Sequence, residues 1–391
     1  MKKHIKHLLK MFGLEIRKVE VRSKQAVVSL KTILPSQGNV LLAYILDPFL
    51  LAEGEQLNPG HTHHFESTLL AQSYLDLGYD VDVISYLNRD FVPQKKYVFY
   101  INARENFVHI SKLLNKDCIK IVHLDTAHFL FNNFAAYRRL LDLQRRRGAT
   151  VEMRVIFDGN WAIENCDYAT ILGNTFTLST YSYARKKIFA LPIPTPFPSQ
   201  LPADKNYQAC RKNFLWFGSR GLVHKGLDLV LEAFSHLPEF NLTVCGPLSQ
   251  EPRFVETYHK ELYQTPNIKA VGWVDVTSSV FRDITSNCLG LVYPSCAEGQ
   301  SGAVITCMQA GLIPVISYES GVDVEERGIL LEQCSIEHII KAVTELSRRS
   351  AAELQEMAEN CIVYCRQKHS GEKYLRENQK IIREIITTHN V

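Results

Sequence analysis

The chain has 391 residues, 46% of them hydrophobic and 22% charged, a globular composition too long for one ordinary core, so two domains are expected. A net charge of +3 gives no general case for nucleic-acid binding, and no apolar run approaches the roughly 20 residues that span a bilayer. Ten cysteines are scattered with no CxxC pair. Cys361 and Cys365 are one helical turn apart without a neighbouring His or Cys to complete a metal set, and Cys118, Cys245 and Cys288 lie in apolar strands as small core residues, so free thiols in a reducing cytoplasm are expected.

Residues 1–37 read as a basic N-terminal extension. Its first 31 residues carry nine Lys and Arg against only Glu15 and Glu20, with Ile5, Leu8, Leu9, Phe12 and Ile16 at helical spacing. Such a segment suits an anionic membrane surface, or packs on the body with a solvated cationic face. It lacks the uninterrupted apolar stretch and small-residue cleavage site of a signal peptide. From Asn39 strands and helices alternate: strand Val40 to Leu46, helix His63 to Leu77 ending at Gly78, strands Val81 to Tyr86, Tyr97 to Ile101 and Ile119 to Leu124. A helix from about Ala127 follows and ends in Arg145-Arg146-Arg147 before Gly148, then a strand Tyr168 to Leu172. This pattern predicts a first domain over 38–190 built on a parallel sheet covered on both faces.

Leu191-Pro192-Ile193-Pro194-Thr195-Pro196-Phe197-Pro198, continuing to Pro202, forms neither helix nor central strand and predicts a linker over 191–210. The alternation then restarts. Strand Phe214 to Phe217, helix Gly226 to Leu237, strand Leu242 to Cys245, helix Val255 to Tyr263 and strand Ile268 to Val271 come first. Helix Val276 to Thr285, strand Cys288 to Tyr293, helix Ala303 to Ala310, strand Pro314 to Ser317 and a short strand near Gly328 to Leu331 follow. Three helical runs close the chain near Thr388. A second doubly wound domain is expected over 211–365, with a C-terminal helix over 366–391 crossing back to the first domain.

Two loops at strand ends carry chemistry. Pro294-Ser295-Cys296-Ala297-Glu298-Gly299-Gln300-Ser301-Gly302 runs from a β-branched strand into a helix start. Small residues there leave backbone N–H groups and the positive helix end open to an anion. Glu298 does not suit a phosphate, but it accepts hydrogen bonds from hydroxyl groups, so the pair suggests a phosphate-plus-sugar ligand. Two glycines between a strand and a helix also serve tight packing alone. Phe217-Gly218-Ser219-Arg220-Gly221-Leu222-Val223-His224-Lys225-Gly226 offers Arg220 as a fork for phosphate oxygens and Lys225 as a point charge at a helix start, or ordinary surface charges on a solvated loop.

Taken together, Arg220, Lys225-Gly226, Gly246-Pro247, Gly272-Trp273-Val274, Pro294-Ser295, Glu298-Gly299 and Gly311 to Pro314-Val315-Ile316 resemble the nucleotide-sugar half of GT-B glycosyltransferases, and most closely the retaining family 4 group. The similarity is strong over about Asn213 to Leu331 and rests on the βα pattern alone over Asn39 to Leu191. It implies an α/β fold of two Rossmann-like domains facing a cleft. It also implies a nucleoside-diphosphate sugar donor held by the second domain, an acceptor held by the first, and no metal ion or other cofactor. By position, Arg220 and Lys225 would hold the diphosphate, and Glu298 would contact donor-sugar hydroxyls. Gly218 and the backbone of Gly299, Gln300, Ser301 and Gly302 would line the donor site. The family carries a second Glu eight residues after the first, on the ribose; here that position is Thr306, which accepts a hydrogen bond without charge.

In the first half, Gly60 and His61 sit where the family keeps a Gly-rich loop facing the acceptor. His61, His63 and His64 with Glu66 offer acceptor contact or plain loop polarity in preference to a metal site. His123 and Asp125 end a strand at the expected cleft edge, with a core-satisfied His as the alternative, and Asn174 follows Gly173 toward the acceptor side. The expected activity is therefore transfer of a sugar, with retention, to an acceptor hydroxyl. The expected setting is surface-polysaccharide or lipid-linked glycan synthesis, in the cytoplasm or peripheral at the inner membrane face. The alternatives are a nucleotide-sugar-binding pseudoenzyme that supports a partner transferase, favoured by Thr306, and another GT-B enzyme such as a nucleotide-sugar epimerase.

Overall fold

A computed structural model describes residues 25–52, 55, 61–103, 106–157, 159–196 and 205–389. The amphipathic reading of the N-terminus, Gly60 and the linker residues 197–204 lie outside these.

Two sheets form the frame. The first has seven strands, β1 (Val27–Leu30), β2 (Asn39–Tyr44), β3 (Asp80–Ser85), β4 (Phe99–Asn102), β5 (Ile119–Leu124), β6 (Tyr168–Leu172) and β7 (Ile188–Leu191), in the order β1-β3-β2-β4-β5-β6-β7. All its pairings are parallel except β1 with β3. The second has six parallel strands, β8 (Asn213–Phe217), β9 (Asn241–Cys245), β10 (Ile268–Gly272), β11 (Gly290–Tyr293), β12 (Ile313–Ile316) and β13 (Ile329–Leu330), in the order β10-β9-β8-β11-β12-β13. Strands β4, β11 and β12 are buried at every residue. That is the reason the strands read as short continuous apolar runs rather than alternations. The longer helices among the described residues are α1 (Thr62–Leu75), α2 (Phe129–Arg147), α3 (Leu227–Ser235), α4 (Ser279–Asn287), α5 (Gly302–Gln309), α6 (Ile336–Ser347), α7 (Ala351–Lys368) and α8 (Gly371–His389).

Local chemistry explains the boundaries. Gly148 ends α2 in a left-handed conformation (φ 63°), which a side chain would strain. Ser350 and Glu353 cap α7 reciprocally. The single helix expected over Val255 to Tyr263 is two, Pro252–Thr257 and His259–Gln264. Between them Tyr258 leaves helical geometry (φ −109°, ψ 21°) and is fully buried, its ring stacked on Phe254 at 4.8 Å. Strand β7 was not expected, because the prolines that follow mask the short apolar run Ile188–Leu191.

One hydrophobic cluster crosses from the first domain to the second, beside a separate one centred in each. A single cluster of buried side chains runs from Val40, Leu42 and Tyr74 through Leu191 and Ile193 to Val304, Ile305, Cys365 and Tyr374. Helix α8 returns to the first domain: Gln379 Nε2 donates to Asp76 Oδ2 (3.0 Å), and His389 meets the Tyr168 hydroxyl (3.1 Å). On the other side, α2 reaches the second domain through its C-terminal arginines. Arg146 pairs with the fully buried Asp228 (2.6 Å) and with Glu232 (3.2 Å), and Arg147 with Glu232 (3.2 Å) and Glu261 (2.8 Å). All ten cysteines are free and nine are buried. Among the described residues no helix is long and apolar enough to cross a membrane.

Candidate functional site

Ligands of open parallel sheets lie beyond the carboxyl ends of the strands. Here both sheets turn those ends to one cleft of about 680 Å³. Tyr44 and Asp125 line it from the ends of β2 and β5, Gly218 from the end of β8, Trp273 from the end of β10, and Glu298 from the loop after β11. Trp273 is 64% exposed, a flat apolar surface at the edge of the second sheet.

The centre of the cleft is an ion pair. Lys225 Nζ donates to Glu298 Oε1 at 2.6 Å and to the Tyr293 hydroxyl at 2.9 Å, which leaves its third N–H for another acceptor. Glu298 Oε1 also accepts from Tyr293 (3.0 Å) and Ser295 (3.1 Å), and Arg154 Nη1 stands 3.9 Å away. Oε2 of Glu298 has no hydrogen-bond donor among the described residues. One oxygen of this carboxylate is thus held by three donors and the other is available to a ligand. Burial raises the Glu298 pKa, but Lys225 and then Arg154 outweigh it and hold the carboxyl below the usual carboxylate range. Burial lowers the Lys225 pKa and Arg154 adds to this, against the opposing pull of Glu298. His224, at the back of the site, is pushed down to about 3 by burial and then by Arg154, so it is a neutral neighbour.

The loop that holds Glu298 is fixed from the first domain. Arg139 of α2 is buried and donates to the Pro294 carbonyl at 3.0 Å. Ala127 N donates to the Glu298 carbonyl (3.2 Å), and Thr177 Oγ1 donates to that of Gly299 (3.1 Å). A Cβ on Gly299 would collide with the Asp125 carbonyl, so this glycine is required by the contact between domains. Two helix starts also meet here. A Cβ on Gly302, the first residue of α5, would stand 3.0 Å from the Thr62 hydroxyl at the first residue of α1. Neither Ser301 nor His61 caps its helix with a side-chain hydrogen bond. Two helix starts without side-chain caps therefore lie side by side in the cleft wall, where their positive ends favour an anion.

The expected site residues divide. Gly218, Lys225, Glu298, Gly299, Gln300, Ser301, Gly302, Thr306, His61 and Asp125 all line the cleft. Gln300 does so with its side chain already engaged: Oε1 accepts from Ile193 N (2.8 Å), tying the linker to the loop. Arg220 is exposed and does not line the cleft, although the next residue, Gly221, packs on the Arg154 side chain, and its charge acts on Glu251. Arg154, from a segment with no strand or helix signal, takes the cleft position instead. His123 is not a cleft residue either. It is fully buried, with Nε2 on Glu66 Oε1 (2.9 Å) and Nδ1 on the Thr170 hydroxyl (2.7 Å). Asn174 caps the helix Thr175–Ser179 and donates to the Tyr318 carbonyl (3.3 Å).

Sequence reasoning missed the network around Glu66. This fully buried carboxylate accepts from the Tyr44 hydroxyl (2.9 Å) and binds His63 Nδ1 (2.7 Å) as well as His123. Burial raises its pKa, but the two histidines outweigh that and hold it low. Tyr44 and His63 line the cleft, so Glu66 orients two cleft side chains from beneath. The HxxE spacing on α1 (His63, Glu66) is the signal that was available. Beside them His61 stacks on His64 at 3.9 Å, and burial first, then the neighbouring His64, pushes His61 down to about 4. Among the described residues no group of three or more His, Cys, Asp or Glu is arranged to hold a metal.

The two Rossmann-like domains around this cleft make the GT-B fold. Residues 211–349, in the second domain, match the family described as "Glycosyl transferases group 1". No curated protein sequence matches the chain. Among solved structures, the sucrose-phosphate synthase of Thermosynechococcus elongatus is 14% identical, with a TM-score of 0.65 over 90% of this chain and 100% of that one. HepE of Anabaena, in complex with UDP and glucose, is 11% identical, with a TM-score of 0.57 over 90% and 99%. TarM is 14% identical, with a TM-score of 0.54 over 75% of this chain, which spans about half of TarM's length (55%). At these identities the likeness is one of fold.

Proposed function

We propose that the protein is a glycosyltransferase that moves a sugar from a nucleoside diphosphate to an acceptor hydroxyl. The observation that carries the reading is Glu298, with one oxygen fixed by Lys225, Tyr293 and Ser295 and the other available in the cleft. A free carboxylate oxygen beside two cations suits a ligand that carries both hydroxyl groups and negative charge. The diphosphate would lie at the adjacent starts of α1 and α5, next to the third N–H of Lys225 and the guanidinium of Arg154. Trp273 offers its face to a base, and Thr306, on the second turn of α5, a hydroxyl to the ribose. Tyr44, His63 and Asp125 on the opposite wall would meet the acceptor.

In this reading the bond from the sugar's anomeric carbon to the phosphate oxygen breaks while the acceptor oxygen bonds to that carbon; the leaving diphosphate keeps the electron pair and takes up the acceptor's proton. Lys225, Arg154 and the helix N–H groups stabilise that charge, which is electrostatic catalysis without a metal ion. Retention at the anomeric carbon, a hexose donor and a role in surface-polysaccharide or lipid-linked glycan synthesis follow the family resemblance, as does a place at the cytoplasmic membrane face. The match to glycosyl transferases group 1 and the fold shared with HepE, solved with UDP and glucose, support the donor class. A thermal-shift screen against nucleoside diphosphates and their sugars tests it, because a ligand bound only to the folded state raises Tm with the logarithm of its concentration over Kd.

A further inference from the structure

Helix α2 has a second apolar face that no described residue covers. Leu130, Phe134, Tyr137 and Leu141 fall at i, i+4, i+7 and i+11, one stripe at helical periodicity. They are 64%, 63%, 46% and 52% exposed. The opposite face, with Asn132, Ala136, Arg139 and Leu143, is the buried one. Four large side chains in one outer line have no part in the core, and contiguous exposed apolar surface of this kind marks an interaction site.

The patch extends to the mouth of the cleft. Asn133, on the flank of the stripe, exchanges two hydrogen bonds of 2.8 Å with the Ile156 backbone, which lays residues 153–157 alongside α2. In that segment Arg154, Val155 and Ile156 line the cleft, while Met153 and Phe157 are 54% and 84% exposed. Trp161, 60% exposed, meets the ring of Phe129 edge-on at 6.4 Å.

The border of the patch is basic. Arg138 and Arg145 share one flank of the stripe. Arg138 is exposed and forms no ion pair among the described residues. Arg145 pairs only with the exposed Asp142 (3.0 Å), the sole carboxylate of α2. Aliphatic and aromatic side chains on one face with arginines at its edge is the composition of a helix that lies in the plane of a bilayer. The apolar face then enters the acyl region and the cations meet anionic headgroups. A second copy of the chain fits less well. A symmetric contact centred on Phe134 and Tyr137 would bring two Arg138 side chains into one seam, where like charges repel.

We propose that α2, with Phe157 and Trp161, docks the protein on an anionic lipid bilayer and so presents the cleft to an acceptor carried in the membrane. The docking stands on the patch alone; the acceptor class rests on the transferase reading. The test is flotation of the full chain with vesicles of phosphatidylcholine alone and of phosphatidylcholine with 30–40% phosphatidylglycerol (~0.1 M salt). The parent binds the anionic vesicles, and the Phe134→Glu/Leu141→Glu variant, altered only at exposed positions, loses at least tenfold in partitioning with an unchanged far-UV spectrum. If that variant misfolds, Leu130→Ser/Tyr137→Ser replaces it. In the intact protein, addition of anionic vesicles shifts Trp emission to the blue, and the shift shrinks in Trp161→Phe. Absence of parent binding, equal binding by the stripe variants, or a concentration-dependent dimer abolished by those variants without vesicle binding overturns the proposal. No nucleotide is present, so failure here leaves the donor reading standing, and failure of the nucleotide screen leaves the docking result standing.

Discussion

Lys225 Nζ and Glu298 Oε1 are 2.6 Å apart at the base of the cleft, both side chains nearly buried (6% and 12% exposed). A loop after β8 and a loop after β11 each contribute one charge, so the pair locks two strand ends together while leaving one carboxylate oxygen to a ligand. A buried pair of this kind is expensive to break from one side, because the remaining charge is left without its partner.

Lys225→Met is expected to destabilise the protein by about 3 kcal/mol, and Lys225→Met/Glu298→Gln by less than the single change, because the double variant strands no charge. Denaturant unfolding of the three proteins measures this; additive losses contradict it. For ligands the order differs. Glu298→Gln is expected to weaken discrimination between sugars more than binding of a bare nucleoside diphosphate, and equal loss of both counts against a hydroxyl-reading role.

Arg154 and Arg220 separate the geometry from the sequence motif. Arg154→Ala is expected to weaken nucleoside-diphosphate binding and to cut turnover by two or more orders of magnitude, as loss of a charge-stabilising donor does. Arg220→Ala, at an exposed side chain that does not line the cleft, is expected to change either by less than about threefold, under 1 kcal/mol. Titration calorimetry and initial rates compare the two; the reverse order contradicts the placement.

Arg146 and Arg147 tie α2 to α3 and to the helix His259–Gln264 across the domain boundary. Arg146→Ala leaves the buried Asp228 without its 2.6 Å partner and is expected to cost about 2 kcal/mol. Arg146→Ala/Arg147→Ala is expected to enlarge the radius of gyration in small-angle scattering, since most of the ion pairs on this side of the cleft are gone. An unchanged radius with a lowered Tm would restrict the arginines to a local role.

Acid sensitivity follows from two buried histidines. Burial pushes His369 down to about 4 despite its Nδ1–H bond to the Ile193 carbonyl (2.9 Å), and pushes His224 down to about 3. In the unfolded chain both protonate near 6.5. Between those values the unfolded state binds more protons, so stability is full above about pH 6.5 and declines as pH falls toward 4. Tm measured from pH 8 to pH 5 is expected to fall below pH 6.5, and less steeply in His369→Gln. A flat profile contradicts the assignment.

The strand–helix alternation made the fold readable, because parallel strands buried on both faces appear as short apolar runs. Ile119–Leu124 and Tyr168–Leu172 match residue for residue. The second half of the site was readable too, since a loop between a strand and a helix announces itself by small residues, as around Glu298. Three things were hidden. Arg154 lies in an irregular segment with no periodicity. His123, at a strand end, suits either the cleft or the core by position, and only the buried Glu66, 57 positions away, decides for the core. Arg220 sits in the expected motif, but its exposed side chain does not line the cleft. Each depends on direction or long-range contact, which spacing along the chain does not encode.

The Glu298 cleft is proposed to hold a nucleoside-diphosphate sugar. The most direct measurement is the thermal shift of the full chain and of Glu298→Gln with a panel of nucleoside diphosphates and their sugars. One nucleoside diphosphate is expected to raise the parent's Tm, its sugar to raise it further, and Glu298→Gln to keep the first increment and lose the second. No shift with any member of the panel, or a sugar increment that survives Glu298→Gln intact, overturns that ligand assignment.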